Sequence, residues 1–139
     1  MNDRCNLARF VTAQDPLIDR VRAELSAGAK RSHWMWFVFP QLAGLGSSPM
    51  ARRFAIASLD EAAAYLAHPV LGPRLVDCTG LVNAVERTPI DEIFGRPDDL
   101  KFRSSMTLFA RVPGAAPVFA AALDKYFGGE PDPKTMALL

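Results

Sequence analysis

The sequence has little cysteine and little histidine, and neither is arranged for a disulfide framework or a metal site. Cys5 and Cys78 lie far apart with no CxxC pair, which is typical of a reducing cytoplasm. His33 and His68 are widely separated and lie away from both cysteines, so the ligand spacing of a zinc site is missing. His68 precedes Pro69 and is expected at a helix C-terminus, where imidazole suits the dipole. We expect no bound metal and no cofactor.

Long hydrophobic runs and a surplus of charge are also missing. The longest apolar runs, residues 34–39 among them, are far shorter than the about 20 residues that span a bilayer. The first ten residues, MNDRCNLARF, lack the apolar region of a secretory signal. A net charge of +1 argues against general binding of nucleic acid or acidic membranes. We therefore expect a cytoplasmic protein in which any anion site is local, and the oligomeric state stays open.

What the chain does have is the composition of a folded domain rich in helix signals. Its 139 residues, 50% hydrophobic and 22% charged, predict one globular domain over residues 1–139. Proline after Ser, Thr or Asp indicates a helix start, because the first turn does not use the N–H that proline lacks. Such pairs are Asp15-Pro16, Ser48-Pro49, Thr88-Pro89 and Asp132-Pro133, and Ser58 with Glu61 fits a capping box. Helix ends are predicted at Gly28, Gly95 and Gly128-Gly129.

Apolar residues between these signals recur with helical spacing. The stripes are Leu7, Phe10 and Val11; Leu17, Val21 and Leu25; Leu71, Leu75, Cys78, Val82 and Val85; and Phe119, Leu123, Tyr126 and Phe127. Strand-like alternation and Asn-Gly or Asp-Gly hairpin turns are missing. The sequence therefore predicts an all-α fold, a compact array of about six to eight short helices. Residues 34–39 are the one stretch that can also be extended.

The first segment with candidate chemistry is KRSHWMWFVFPQL, residues 30–42, which contains both tryptophans. Trp34 and Trp36 can form the flat walls of a ligand pocket. Its orienting polar side chains would be Ser32, His33 and Gln41. The alternative is that residues 34–39 are simply core and that His33 is a hydrogen-bonded structural group.

The second segment is GLGSSPMARR, residues 44–53, a glycine-rich loop that enters a helix. The free N–H groups of Met50 and Ala51, with Arg52 and Arg53, can bind a phosphate or carboxylate. The dinucleotide and Walker patterns both fail here. The alternative is a flexible turn and a helix capped by Ser48, with solvated arginines.

The third segment is RPDDLKFRSSMTLF, residues 96–109. Asp98 and Asp99 fall in the first turn of a predicted helix, where carboxylates offset the dipole without any further function. Polar residues then interrupt a face that should be buried; they are Lys101, Arg103, Ser104 and Ser105. A hydroxyl at Ser105 needs a partner, either a backbone carbonyl or a ligand.

These segments resemble a known family. SHWMWFVFPQLAGLGSSPMARRFAI, AYLAHPVLGPRL and IFGRPDDLKFRSSMTLF look like DUF 1810, a family of uncharacterised bacterial proteins sometimes mislabelled calpastatin. The resemblance covers about residues 7–138 and implies a single, mostly helical domain without an established activity. A thinner resemblance, in the SSPM-A-R helix start and a later Gly and Asp, is to NADAR domains. Those are small helical proteins linked to ADP-ribose and N-glycosidic chemistry, but their Trp-Gly segment is missing after Thr88.

Two functions remain open. The first is binding or processing of a phosphorylated ribose or nucleotide compound, with phosphate on the glycine-rich loop and its arginines, a base stacked on Trp34 or Trp36, and a carboxylate as general acid/base or charge stabiliser. The second is a non-catalytic protein-interaction or structural module. The candidate catalytic residues are Asp98, Asp99 and His33. The candidate ligand-binding residues are Ser32, Trp34, Trp36, Gln41, Ser48, Arg52, Arg53, Lys101, Arg103 and Ser104.

Overall fold

The computed structural model describes residues 5–139. Residues 1–4 lie outside this range, and with them the start of the N-terminal segment that we expect to contain no secretory signal. The helices of the described residues are α1 Ala8–Gln14, α2 Ile18–Ser26, α3 Met35–Val38, α4 Pro49–Arg53, α5 Leu59–Ala67, α6 Leu71–Ala84, α7 Ile90–Phe94, α8 Asp98–Ala110, α9 Val118–Phe127 and α10 Pro133–Leu138. Six of the ten have seven or more residues, and residues 5–139 contain no strand. The all-α prediction is confirmed.

Three of the predicted N-caps form as expected. In each, the side chain accepts a hydrogen bond from the backbone N–H three residues later; these residues are Ser48, Ser58 and Asp132. Glu61 departs slightly from the capping-box pattern, since its carboxylate accepts from the N–H of Ala57 at 3.0 Å. Glycines with positive φ follow the ends of α2, α7 and α9, as predicted at Gly28, Gly95 and Gly128.

Two predicted caps are wrong because long-range or local partners take the side chain. The carboxylate of Asp15 pairs with the Arg74 guanidinium at 2.8 Å, and α2 begins later, at Ile18. The hydroxyl of Thr88 donates to the carbonyl of Glu86 at 3.1 Å, and α7 has no side-chain cap. The sequence pattern predicts the turn before each helix. It does not show that another group binds the Asp15 or Thr88 side chain in place of the helix N–H groups.

His68 has a different role from the one predicted. It does end α5, but its Nδ1 accepts hydrogen bonds from the N–H groups of Val70 and Leu71 at 3.1 and 3.2 Å. The imidazole at the end of α5 therefore satisfies two backbone donors at the start of α6. The accepting nitrogen carries no proton in this arrangement.

Residues 34–39 are core except for Trp36, which is half-buried, and the extended alternative is wrong, because Met35–Val38 form the one-turn helix α3. Trp34 and Phe39 pack against Phe94 and Phe102, whose rings lie 4.8 Å apart, centroid to centroid. This aromatic cluster joins α3 to α7 and the first half of α8. It therefore brings the first and third candidate segments together.

The glycine-rich loop is fixed at its base. The Ala43 N–H donates to the Ile56 carbonyl and the Ile56 N–H donates to the Gln41 carbonyl, each at 2.8 Å. The Arg9 guanidinium donates to the carbonyls of Arg53 and Ala55, each at 2.9 Å. Residues 42–56 thus form a loop that leaves the core and returns to it, and α4 is part of this loop. The predicted flexible turn is tied down at both ends.

Candidate functional site

A buried carboxylate, Glu24, organises the start of the first candidate segment. It accepts hydrogen bonds from the N–H of Arg31 at 2.7 Å, from the N–H and hydroxyl of Ser32 at 3.0 and 2.6 Å, and from the indole N–H of Trp34 at 3.0 Å. Burial raises the pKa of Glu24, but these donors outweigh it and hold the pKa at about 2. The carboxylate fixes the backbone and the indole together.

This network decides the roles of two predicted ligand-binding residues. Trp34 is fully buried and its N–H is bound to Glu24, so it presents no ring face to a ligand; the core alternative describes it. Ser32 likewise gives its hydroxyl proton to Glu24. His33, between them, is exposed. The sequence pattern did not indicate a role for Glu24, because a glutamate inside a helix is usually exposed to solvent.

Next to this network lies a cluster of Lys30, Asp98, Lys101 and Trp36, here called the lysine–Trp36 cluster. The two carboxylate oxygens of Asp98 face the ammonium groups of Lys30 at 2.9 Å and Lys101 at 3.7 Å. The Lys30 side chain is only 7% exposed and its ammonium lies 5.1 Å from the centre of the Trp34 ring. The Lys101 ammonium lies 5.4 Å from the ring centre of Trp36, which is half-buried. The cluster carries two positive charges and one negative charge.

The backbone holds Lys30 in this position. Its N–H donates to the Ile93 carbonyl at 2.7 Å, which ties residue 30 to α7, immediately before α8. Asp98 and Lys101 are one turn apart on α8 and so share a face. Lys30 is not among the predicted site residues, because its pairing with Asp98 depends on tertiary packing.

A small cavity adjoins the cluster on the other side of Trp36. Its walls include Trp36, Gln41, Gly44, Gly46, Ala51 and Phe54, and its volume is about 20 Å³. That is room for one water-sized group. A Cβ atom on Gly46 would lie 2.6 Å from the Cβ of Ala51, so glycine is what allows the loop to approach α4 so closely. Any larger ligand has to lie across the mouth of this cavity.

The predicted anion site at the start of α4 is only partly available. The N–H of Ala51 is taken by the hydroxyl of Ser48 at 3.1 Å, so that predicted donor is not free. Arg52 and Arg53 are exposed in the last turn of α4, and the Arg53 guanidinium lies 5.2 Å from the ring centre of Phe54. Ser48 therefore acts as a helix cap, and Arg52 and Arg53 lie at the opposite end of α4 from the predicted donors Met50 and Ala51.

The remaining polar residues of α8 are engaged with other parts of the fold. Arg103 donates to the Glu130 carbonyl at 3.1 Å and pairs with its carboxylate at 3.8 Å. The hydroxyl of Ser104 shares a hydrogen bond with Thr135 at 3.0 Å. Both side chains serve the packing of the C-terminal part of the chain, and neither is in the lysine–Trp36 cluster.

Two buried polar groups of α8 lack a complete set of partners. One oxygen of the Asp99 carboxylate has no hydrogen bond, and the other lies 3.9 Å from the guanidinium of Arg96. The Ser105 hydroxyl, which the sequence analysis expected to have a partner, is buried without one. Asp99 is a buried side chain on α8, whereas its neighbour Asp98 lies in the lysine–Trp36 cluster.

The structure thus brings together Trp36, Asp98 and Lys101 from the predicted set, adds Lys30, and places Gln41 beside Trp36 in the cavity wall. Arg103 has partners elsewhere. Within residues 5–139, no three His, Cys, Asp or Glu side chains lie together as a metal site. No helix of this part of the chain is long and apolar enough to cross a membrane.

Fold and site together define a compact, all-helical domain with a half-buried cluster of charges beside a tryptophan. The family described as "Protein of unknown function (DUF1810)" matches residues 4–139, and the chain belongs to this family, which confirms the resemblance seen in the three segments. Among solved structures, the chain is similar to the conserved hypothetical protein Rv1873 from Mycobacterium tuberculosis. The TM-score is 0.97 with 62% identical residues, over 99% of this chain and 98% of that one. No curated protein matches. The thinner likeness to NADAR domains stays an interpretation of the sequence.

Proposed function

We propose that this protein binds a small anionic, nucleotide-like compound at the lysine–Trp36 cluster. The observation that carries the proposal is the unequal charge of the cluster, in which two ammonium groups, those of Lys30 and Lys101, surround the single carboxylate of Asp98 beside the half-buried ring of Trp36. An anion can pair there with Lys101, the more exposed of the two ammonium groups, and the indole offers a flat surface for a base. In the simplest case, this compound is a phosphorylated derivative of ribose.

Electrostatics favours an anion at this position in particular. Lys30 is almost entirely shielded from water, so its charge is screened much less than that of a solvated surface lysine. Asp98 offsets one of the two positive charges. The remaining charge lies within reach of the surface through Lys101, which is more exposed than Lys30.

Shape favours a ligand that lies on the surface. The cavity beside Trp36 admits one small polar group, so a nucleotide places a single group there and its remaining atoms across Trp36. Gln41, in the cavity wall, has an amide that can orient such a group. We propose binding only. Whether the bound compound is also turned over, with Asp98 as a catalytic group, is a separate question.

Calorimetric titration with AMP, ADP-ribose and inorganic phosphate tests the proposal. We expect saturable heat with at least one nucleotide, and Lys101→Ala should raise the Kd about tenfold, the loss of one charge-assisted contact of about 1.4 kcal/mol. Lys134→Ala, an exposed lysine on α10, is the matched control and should leave the Kd unchanged. Absence of heat across this panel, or equal effects of the two substitutions, would contradict the proposal.

The cytoplasmic location also belongs to this proposal, since Cys5 and Cys78 are free thiols. Burial raises the pKa of the Cys78 thiol to about 12, so this group stays protonated and unreactive at neutral pH. We further expect no general binding to nucleic acid or membranes, because the net charge of the chain is only +1.

A non-catalytic interaction module is the alternative, and one observation favours it. An apolar groove of about 340 Å³ lies between α5, α6 and the loop before α9, with walls that include Leu66, Val76, Pro113 and Phe119. If a second copy of the chain covers this groove, light scattering at micromolar concentration gives the mass of a dimer, and Leu66→Glu gives that of a monomer. A monomeric protein that binds AMP supports the first function instead.

A further inference from the structure

We infer that the lysine–Trp36 cluster takes amphipathic anions, in which the charged group is joined to an aliphatic chain that lies on an adjacent leucine surface. This surface consists of Leu100, Leu138 and Leu139. The inference rests on the proposed function, because the same ammonium groups bind the charged end of the ligand. It adds the chemical class of the rest of the ligand, which is an aliphatic chain.

Exposure singles out these three residues. Among the described residues 5–139, the large hydrophobic side chains classed as exposed are Leu100 at 53%, Leu138 at 52% and Leu139 at 41%. Other apolar side chains of this size are buried or partly buried against the core. A group of exposed leucines is typical of a surface that contacts an apolar partner or ligand.

The register of two helices brings these leucines together. The N–H of Asp132 donates to the Thr107 hydroxyl at 2.8 Å, and Thr135 shares a hydrogen bond with Ser104 at 3.0 Å. As the number rises along α10, the partner's number falls along α8, so the two helices run antiparallel. One further turn brings residues 138–139 opposite residues 100–101. This register predicts that the C-terminal leucines lie alongside Leu100 and Lys101.

A second contact links the leucine surface to the cavity. A Cβ atom placed on Gly44 would lie 3.5 Å from Cδ1 of Leu138, and Gly44 is part of the cavity wall beside Trp36. Leu138 thus borders the glycine-rich loop on one side, while Leu100 is the chain neighbour of Lys101 on the other. Leu138 therefore borders the wall of the cavity that Trp36 also lines.

The charge of the cluster selects the occupant. A second copy of the chain, related by a twofold axis, would bring its own Lys30 and Lys101 against these lysines, which is unfavourable. An apolar molecule without charge would cover the leucines but would offer nothing to the Lys101 ammonium beyond its contact with Asp98. An anion with an aliphatic chain satisfies both parts, because its head balances the ammonium groups while its chain covers the leucines.

Titration with alkyl phosphates of increasing length tests the inference. We expect the Kd to fall from methyl to butyl, hexyl and octyl phosphate by about twofold per methylene, half the effect of complete burial, since the surface contacts one side of the chain. All ligands are kept monomeric, as checked by light scattering. Octyltrimethylammonium, with the same chain and opposite charge, should not bind.

Variants separate this inference from the proposed function. Leu100→Ser and Leu138→Ser should remove most of the dependence on chain length and leave the Kd for AMP unchanged, while Ala137→Ser, exposed on the same helix, should change neither. Circular dichroism checks that each variant folds. A Kd that does not vary with chain length, or a dependence that persists in both leucine variants, overturns the inference while AMP binding stands.

Other outcomes are equally decisive. If the unmodified protein binds neither AMP nor methyl phosphate, the proposed function itself is overturned. Chain-dependent binding that is indifferent to Lys101→Ala overturns the joined site, because the leucines would then act alone. Cosedimentation with vesicles of phosphatidic acid and phosphatidylcholine, without binding of monomeric octyl phosphate, identifies a lipid surface as the partner and overturns a free amphipathic ligand.

Discussion

At the scale of single residues, Glu24 shows how a buried charge fixes a functional region. A carboxylate is costly to bury unless its oxygens are hydrogen-bonded. Here two backbone N–H groups, a hydroxyl and an indole N–H satisfy it. The residues between Lys30 and Trp36 are therefore held in one conformation from the α2 side, and the lysine–Trp36 cluster depends on that support.

Glu24 makes stability depend on acidity. Its pKa is about 2 in the folded protein against 4.5 when unperturbed, so its stabilising effect is complete above pH 4.5 and is lost as the pH falls toward 2. A shift of this size corresponds to about 3 kcal/mol. Urea unfolding of the unmodified protein should show that loss between pH 4.5 and 2, and Glu24→Gln should be less stable at pH 7 with a much smaller change over the same range.

Glu92→Gln serves as the control for this experiment. Glu92 is an exposed carboxylate on α7, and its substitution should leave both the stability at pH 7 and its pH dependence nearly unchanged. If Glu24→Gln and the unmodified protein lose stability in parallel on acidification, the carboxylate network does not have the importance assigned to it.

At the scale of elements, α6 shows how close packing limits what the sequence can change. A Cβ atom on Gly72 would lie 2.1 Å from the Leu66 carbonyl oxygen, whereas a Cβ atom on Gly80 would meet nothing within 4 Å. Both glycines are helical positions of α6. Gly72 is there because α5 and α6 approach backbone to backbone, and Gly80 has no such reason in the structure.

The two glycines therefore predict opposite effects of the same substitution. Gly80→Ala should stabilise the protein by about 0.5–1 kcal/mol, since alanine is the better helix former. Gly72→Ala should destabilise it by more than about 2 kcal/mol, because α5 has to move away from α6. Chemical denaturation compares them directly, and a destabilising Gly80→Ala, or a neutral Gly72→Ala, would be the opposite of what this packing requires.

The elements themselves could be predicted from sequence, because their signals are local. Helical apolar spacing, the caps at Ser48, Ser58 and Asp132, and the glycine stops each lie within a few residues of the feature that they specify. The wrong caps have another origin. Asp15 is claimed by Arg74, which comes from a helix distant in sequence, and no local pattern indicates that pairing.

At the scale of the whole molecule, the candidate site is a product of tertiary packing. The aromatic cluster of α3, α7 and α8 brings Lys30 to Asp98, and α10 packs antiparallel to α8 through the contact of Thr135 with Ser104. The sequence named Asp98, Lys101 and Trp36 individually. Their combination, and the separation of Arg103 from them, required the fold.

The two indole N–H groups give the most direct test of the lysine–Trp36 cluster as the binding site. In a nitrogen–proton correlation spectrum each tryptophan gives one indole peak, and Trp36→Phe assigns them. During titration with AMP or ADP-ribose, the Trp36 peak should move saturably together with the Lys101 amide, while the Trp34 peak, whose N–H is bound to Glu24, stays in place. Saturable nucleotide binding that leaves the Trp36 peak unmoved would place the ligand elsewhere and contradict the account.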